Sequence, residues 1–402
     1  KFILTFTLVS CLGVLFVFKY FNFFAGAVVD FLNMFALHLH PTTLQLLLPV
    51  GISFYTFQTL AYVIDVYRGD VKAERHFGVY AAFISFFPQL VAGPIERTGN
   101  LLPQIKAAHD FDYEQATYGM KLMTWGFFKK LCIADVVAVW SDRVFNDVYS
   151  YKGFALVLAM FFFTVQIYCD FSGYSDIARG CSKLFGIELM ENFKSPYFSA
   201  SIREFWSRWH ISLSTWFRDY VYIPLGGSRC GKLRRNVNLM ITFMISGLWH
   251  GANWTFVIWG ILHGLGQVIE NAFTGRERQE VHGLKWAVRV CVTFLFVMLA
   301  WVFFRAQSLD EAVYVFRHIF SGAPNLHLWM KHVPDIGVNK KITMLIIAVL
   351  AVHDFLAHRI DVISWLSSKP EVFRWSVYVA AFLMTIVLAE TGMQHEFIYF
   401  QF

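Results

Sequence analysis

The 402-residue chain is short of charge: only 15% of its residues are Asp, Glu, Lys or Arg, where a soluble protein carries about a quarter. Set against 57% hydrophobic and 18% aromatic residues, that deficit excludes a soluble globular fold, which has no means of hiding so much apolar surface. Linkers are also missing. No Pro, Ser or Gly stretch and no internal repeat divides the chain, so one membrane-embedded domain over residues 1–402 is expected. Paired cysteine spacing is absent too: Cys11, Cys132, Cys169, Cys181, Cys230 and Cys291 lie scattered in or beside apolar stretches. This argues against a disulfide framework or a zinc site, and no metal is expected. A cleavable signal peptide is not evident, and the chain begins at Lys1 inside an apolar run with no initiator Met. It is therefore expected to be a segment lacking its true N-terminus.

What is present is a succession of apolar windows near the length of about 20 residues that spans a hydrocarbon core as helix. They fall at 2–17, 21–37, 44–66, 79–91, 118–140, 154–168, 237–249, 254–269, 286–304, 342–357 and 373–388. The fold class expected is all-α, a polytopic membrane bundle. The net charge of +6 is modest, and Arg229, Lys232, Arg234 and Arg235 cluster in one connection. Basic residues concentrate in cytoplasmic loops, so this loop is placed in the cytoplasm and nucleic-acid binding is set aside as the rival reading.

Three polar interruptions break the apolar pattern: 68–76, 96–115 after the helix-breaking Gly93 and Pro94, and about 170–236. Irregular backbone at membrane depth has to line a cavity or be buried in protein. Within the third interruption, Arg203 to Tyr220 reads as one amphipathic helix. Phe205, Trp206, Trp209, Leu213, Trp216, Phe217 and Tyr220 form its aromatic face; Arg203, Glu204, Ser207, Arg208, Thr215, Arg218 and Asp219 form the other. Such a helix suits a membrane interface.

Three histidines stand out. On a continuous helix His210 would lie about 40° from Trp206 and about 20° from Phe217, on the apolar side. It is either a chemical group or a core histidine bonded to a backbone carbonyl. His250 closes the run from Asn236, a rise of about 21 Å, less than the hydrocarbon thickness of about 30 Å. It follows Trp249 and precedes Gly251, Ala252 and Asn253, so it is expected inside the bilayer or in a funnel cut into it, where an ionisable group marks a functional site. His263 would come beside it if the chain folds back at Gly251; its other reading is a helix-packing residue among small neighbours.

Neutral imidazole can take the proton of a hydroxyl as that oxygen attacks a thioester carbonyl, provided water is excluded. Trp249 and Asn253 are candidate donors to the developing oxyanion. Arg208 is a further supporting candidate, with an interfacial or structural role as its alternative. The stretch Asp170 to Asp176 (DFSGYSD) has Gly173-Tyr174-Ser175 but lacks the closing glycine of a nucleophile elbow, which rejects a serine hydrolase. Asp170 and Asp176 are expected to bond backbone or Arg179, or to line a cavity mouth.

Four stretches resemble the membrane-bound O-acyltransferases, specifically their alginate O-acetyltransferase branch: 168–178 (YCDFSGYSDIA), 192–197 (NFKSPY), 204–227 (EFWSRWHISLSTWFRDYVYIPLGG) and 247–264 (GLWHGANWTFVIWGILHG). Residues 87–94 and 397–402 agree more loosely. The resemblance implies a ring of helices around a central funnel with interfacial amphipathic helices, and a catalytic core region at 168–264. It implies that His250 is the catalytic histidine and His210 the second active-site histidine. It further implies acetyl-CoA as the donor with no permanently bound cofactor, a periplasmic acetyltransferase partner protein, a polysaccharide acceptor, membrane lipid as surroundings, and a bacterial inner membrane location. Relatives begin with further N-terminal helices. Leu225-Gly226-Gly227 favours this branch over the related D-alanyl transferases of teichoic acid. A transporter or flippase with His210, His250 and Asp170 as a proton relay is the non-enzymatic alternative, and a scaffold that recruits a polysaccharide synthase is a third reading.

Overall fold

The computed structural model describes residues 1–402 apart from 92, 275–280, 324, 332, 334–339, 390–396 and 399–402. Among the described residues every regular element is helical. Four helices, Phe2–Asn33 (α1), Phe154–Leu184, Gly283–Arg305 and Glu371–Leu388, are long and apolar enough to cross a membrane. The all-helical membrane class is therefore as expected.

The division into spans differs from the hydropathy reading in several places. The windows at 2–17 and 21–37 merge into the one helix α1, which widens to a π-type turn at Phe16–Tyr20 and stops at Asn33, short of the second window's end. The window at 44–66 becomes helical only from Ile52, giving α2 (Ile52–Arg68). The window at 79–91 is two short helices, Phe77–Ile84 and Phe87–Leu90, because Pro88 imposes a fresh helix start. Residues 113–145 form a long helix (α3) with a π-type turn at Phe128–Ala134.

Phe154–Leu184 (α4) is the axis of the fold: 78% of its most apolar window is buried, against 6% for α1 and 0% for Glu371–Leu388. The expected polar interruption beginning at Asp170 is thus corrected, since α4 continues through Asp170, Ser172, Ser175 and Asp176 and stops only at Leu184. The polar residues stay helical because α3 supplies their partners. Lys129 Nζ meets Asp176 Oδ2 at 2.6 Å and Ser172 Oγ at 2.9 Å, and Lys130 Nζ meets Asp170 Oδ1 at 2.8 Å. Hydropathy registers the charges but not their cancellation. Helix α4 ends in the usual way, with Gly186 at φ 74° just beyond it.

The remaining helices that build the site are α5 (Ile202–Arg208), α6 (Ile211–Phe217), α7 (Lys232–His250), α8 (Trp254–Thr274) and α9 (Gly283–Arg305). Helices α7 and α8 form a hairpin. The same end of the bundle collects the ends of α9, α3 and α4: Asn253 Nδ2 donates to Gln307 O at 2.9 Å, Arg305 pairs with Asp142 at 2.8 Å, and Gly153 N donates to His318 O at 2.9 Å. One aromatic core runs between these elements, with Trp209, Trp259, Trp301, Phe163, Phe205 and Phe304 almost wholly buried.

Candidate active site

The segment expected as one amphipathic helix from Arg203 to Tyr220 is broken at its centre. Helix α5 ends at Arg208, Trp209 is extended, His210 has φ +43° and ψ 55°, and α6 starts at Ile211. A left-handed backbone at a non-glycine residue is uncommon and is held only where the surroundings impose it. Here the 192–197 stretch imposes it. Asn192, 1% exposed, accepts from Ile211 N through its backbone carbonyl (3.0 Å) and from Ser212 N through Oδ1 (3.2 Å), while Lys194 N donates to Arg208 O at 3.0 Å. Ser212 Oγ in turn accepts from Ile95 N at 3.0 Å. His210 is thus buried as expected, but by a bend and not by its place on a continuous apolar helix face.

The bend drives the His210 ring into an aromatic pocket. Its centroid lies 4.6 Å from Phe171, edge to face, 6.4 Å from Phe54 and 6.2 Å from Trp249. The residue is 1% exposed, and neither ring nitrogen has a hydrogen-bond partner among the described residues. The reading of His210 as a core histidine bonded to a backbone carbonyl therefore does not match this geometry.

His250 is the last residue of α7, 5% exposed, with Trp249 at 4.9 Å, Trp259 at 5.1 Å and Phe304 at 5.3 Å between ring centroids. The Trp249 ring thus neighbours both histidines. Helix α7 begins at Lys232, four residues before the assumed start, so its 19 residues carry His250 about 27 Å along the axis. Depth estimated from Asn236 is corrected accordingly, and burial, not depth, is what singles His250 out.

The expected fold-back at Gly251 is present. The two arms touch backbone to backbone, since a Cβ on Gly260 would lie 2.2 Å from Phe243 O, and one on Gly247 would lie 2.2 Å from Phe256 O. Asn253 starts the second arm, its Oδ1 accepting from Thr255 N at 3.1 Å. With its amide also on Gln307 O, both ends of the Asn253 side chain are engaged in building the turn. His263 is fully buried 5.0 Å from the Trp259 ring, and its Nδ1 accepts from Trp206 Nε1 at 3.2 Å. That bond suits the packing reading. Arg208 pairs with Glu204 at 2.9 Å and donates to Lys194 O at 3.1 Å, contacts that include none of His210, His250 and His263. Asp170, 2% exposed, pairs with Lys130 and accepts from Ile398 N at 2.7 Å, which ties α4 to the described part of the C-terminal segment. Asp176 reaches Arg179 at 3.7 Å as well as Lys129. Trp249 has its ring beside both histidines and its indole nitrogen buried without a partner among the described residues.

A cavity of about 590 Å³ opens beside the hairpin turn, lined by Lys19, Gly251, Ala252, Asn253, Phe256 and Arg305 among others.

A family model for the membrane-bound O-acyltransferase family matches residues 74–309, which contain both histidines, the bend and the hairpin. The chain belongs to this family. It is 45% identical over 312 residues to the probable alginate O-acetylase AlgI of Pseudomonas putida, an alignment covering 77% of the chain and 63% of that relative. It is 38% identical over 335 residues to the peptidoglycan O-acetyltransferase of Helicobacter pylori (77% and 62%). The teichoic acid D-alanyltransferase of Streptococcus thermophilus is more distant, at 30% over 321 residues (70% and 75%). The chain thus spans about three fifths of the length of the alginate O-acetylase relatives it matches. The ordering of identities agrees with the resemblance to the alginate branch.

Several residues around this acyltransferase-family site were not picked out from sequence. Lys19 Nζ donates to the carbonyls of Trp249 and His250 at 2.8 and 3.0 Å; the signal was available, as a lone cation inside the apolar run from Phe2. Asn192 carried no signal beyond its motif, because its partners are twenty residues away. Glu96 is 0% exposed, accepts from Asn100 Nδ2 at 2.7 Å and from Met190 N, and burial pushes its carboxyl up to about 7.

Proposed function

We propose that the chain is the membrane-embedded part of an O-acetyltransferase. It takes acetyl from a cytoplasmic thioester donor, acetyl-CoA, and delivers it across a multi-pass bundle of the bacterial inner membrane. The acceptor is a hydroxyl of an alginate-like exopolysaccharide or of a periplasmic partner protein. The observation that carries this reading is the pair of buried histidines, His210 and His250, that share the Trp249 ring as a neighbour inside the region that defines the family.

In the reaction, the neutral His250 ring accepts the acceptor proton as the hydroxyl oxygen bonds to the acetyl carbonyl carbon. The tetrahedral intermediate then expels the thiolate, the C–S bond breaks, and the imidazolium returns the proton to sulfur. The aromatic walls formed by Trp249, Trp259 and Phe304 keep water from competing for the acetyl group. His210 also neighbours Trp249, as a second polar group in the same apolar chamber, where a partnerless imidazole is costly unless a substrate completes it. In this reading a central funnel leads to these rings from both faces and serves the donor and the acceptor separately, and the 590 Å³ cavity beside the hairpin turn is assigned to the acceptor because that turn lies at the opposite end of α7 from the basic loop.

The test is transfer of labelled acetyl from acetyl-CoA in membranes containing the full-length protein and its partner, comparing wild type with His250→Ala at matched protein levels. A loss of at least about 10²-fold with folding intact is expected from removal of a general base. Undiminished transfer would remove His250 from the chemistry and return the proton-relay reading. Transfer of D-alanine from a carrier protein in place of acetyl would move the chain to the teichoic acid branch.

A further inference from the structure

The last four carbonyls of a helix have no partner within it, and the helix end carries a partial negative charge. For α7 these groups belong to the residues that end on His250, and the next residue, Gly251, is already extended at φ −161° and ψ 148°. Two of the carbonyls, those of Trp249 and His250, are taken by the ammonium of Lys19 at 2.8 and 3.0 Å. Lys19 arrives from the π-type turn of α1, and its ammonium also sits 5.8 Å from the centre of the Trp249 ring.

A cation in an apolar helix is expensive unless something receives it. This one is received by two peptide oxygens and a helix terminus, at the wall of the cavity it shares with Gly251, Ala252 and Asn253.

We infer that Lys19 is a positioning residue for His250: its ammonium clamps the two terminal carbonyls of α7 and so fixes the backbone that carries the imidazole. The inference rests on the proposal that His250 takes the acceptor proton. Lys19 touches none of the reacting atoms; it acts through the main chain. The docking of α1 on this helix end has a second, apolar source, a cluster of Leu15, Tyr20 and Ile52 packed with Phe18, Tyr55, Leu248 and Ala252. Removing the charge while keeping the stem therefore leaves α1 in place and frees only the clamp.

Lys19→Met keeps the stem and removes the donors; Lys19→Arg keeps two donors for two carbonyls. For the full-length protein with its partner, kcat and KM for acetyl-CoA are measured at matched protein levels beside His250→Ala, with thermal unfolding in detergent as the check on folding. Lys19→Met is expected to lower kcat by about 10- to 100-fold, the scale of a misplacement near 1 Å. Its KM should stay within about threefold and its unfolding temperature near wild type, because the donor site and the apolar cluster are untouched. Lys19→Arg is expected to restore most of the turnover. Wild-type kcat in Lys19→Met, with His250→Ala inactive, overturns the inference. So does a loss that tracks unfolding and that Arg does not rescue. An active His250→Ala would instead overturn the catalytic reading on which the inference stands.

Discussion

The contact between α7 and α8 sets where His250 stands, and Gly260→Ala tests it with a single methyl. A Cβ at position 260 falls 2.2 Å from Phe243 O, 3.0 Å from Phe243 C and 3.3 Å from Gly247 Cα. All three are backbone atoms, so no side chain can swing aside, and ordinary contact begins near 3.4 Å. The arms must part by about 1 Å, which costs about 1–3 kcal/mol in a packed interior. The displacement passes along the rigid helix to His250, only three residues beyond Gly247, and a shift of that size lowers turnover by about 10²-fold. The expected result is a folded protein with a lower unfolding temperature in detergent and a larger proportional loss in acetyl transfer. Gly26→Ala is the control: a Cβ there meets nothing within 4 Å, so it should be neutral or slightly stabilising, by up to about 1 kcal/mol. A Gly260→Ala protein with wild-type unfolding and turnover would refute the account, because it would mean the two backbones do not touch.

Four other outcomes follow from the same geometry. Lys129→Met leaves the Asp176 carboxylate only the longer contact to Arg179 at 3.7 Å and should cost about 1–3 kcal/mol in detergent unfolding, with Asp176→Asn added to it recovering most of the loss. Asn192→Ala leaves Ser212 N without its acceptor, at about 1–3 kcal/mol, and should lower acetyl transfer by more than the stability loss explains, because the bend at His210 relaxes. Trp206→Phe removes the donor to His263 and should cost about 1 kcal/mol while leaving transfer near wild type, as a packing role for His263 requires. Glu96 is held protonated by burial up to about pH 7. The folded state therefore binds its proton over a range where the unfolded state has released it. Stability is full below the ordinary carboxylate range and falls as pH rises toward 7, by up to about 3 kcal/mol, and Glu96→Gln should flatten that slope in a pH series of unfolding measurements.

The pattern that hydropathy could read was the environment, and the pattern it could not read was pairing. The apolar windows on α1, α4, α9 and Glu371–Leu388 announced themselves because each residue there contributes independently to transfer. Asp170 and Asp176 read as the edge of a span because nothing in their own sequence reveals that Lys130 and Lys129 lie opposite on α3. The motifs around His210 and His250 pointed to both rings, but the route by which His210 becomes buried depends on Asn192, and no local periodicity encodes a hydrogen bond across twenty residues. Lys19 was legible as a lone charge and was passed over, since its meaning lies in two carbonyls more than two hundred residues away. Of the stretch 397–402 that agrees loosely with the family, the last four residues lie outside the described residues.

The left-handed backbone at His210 makes one codon answerable for both a ring and a corner. In a saturation library at this position, glycine and asparagine would keep the corner without the ring, since these residues accept that conformation. Valine and isoleucine would be expected to lose both. Tolerance across such a library would therefore sort by backbone first and by chemistry second. Variants that are stable but silent, with Asn or Gly at 210, would isolate what the imidazole itself contributes.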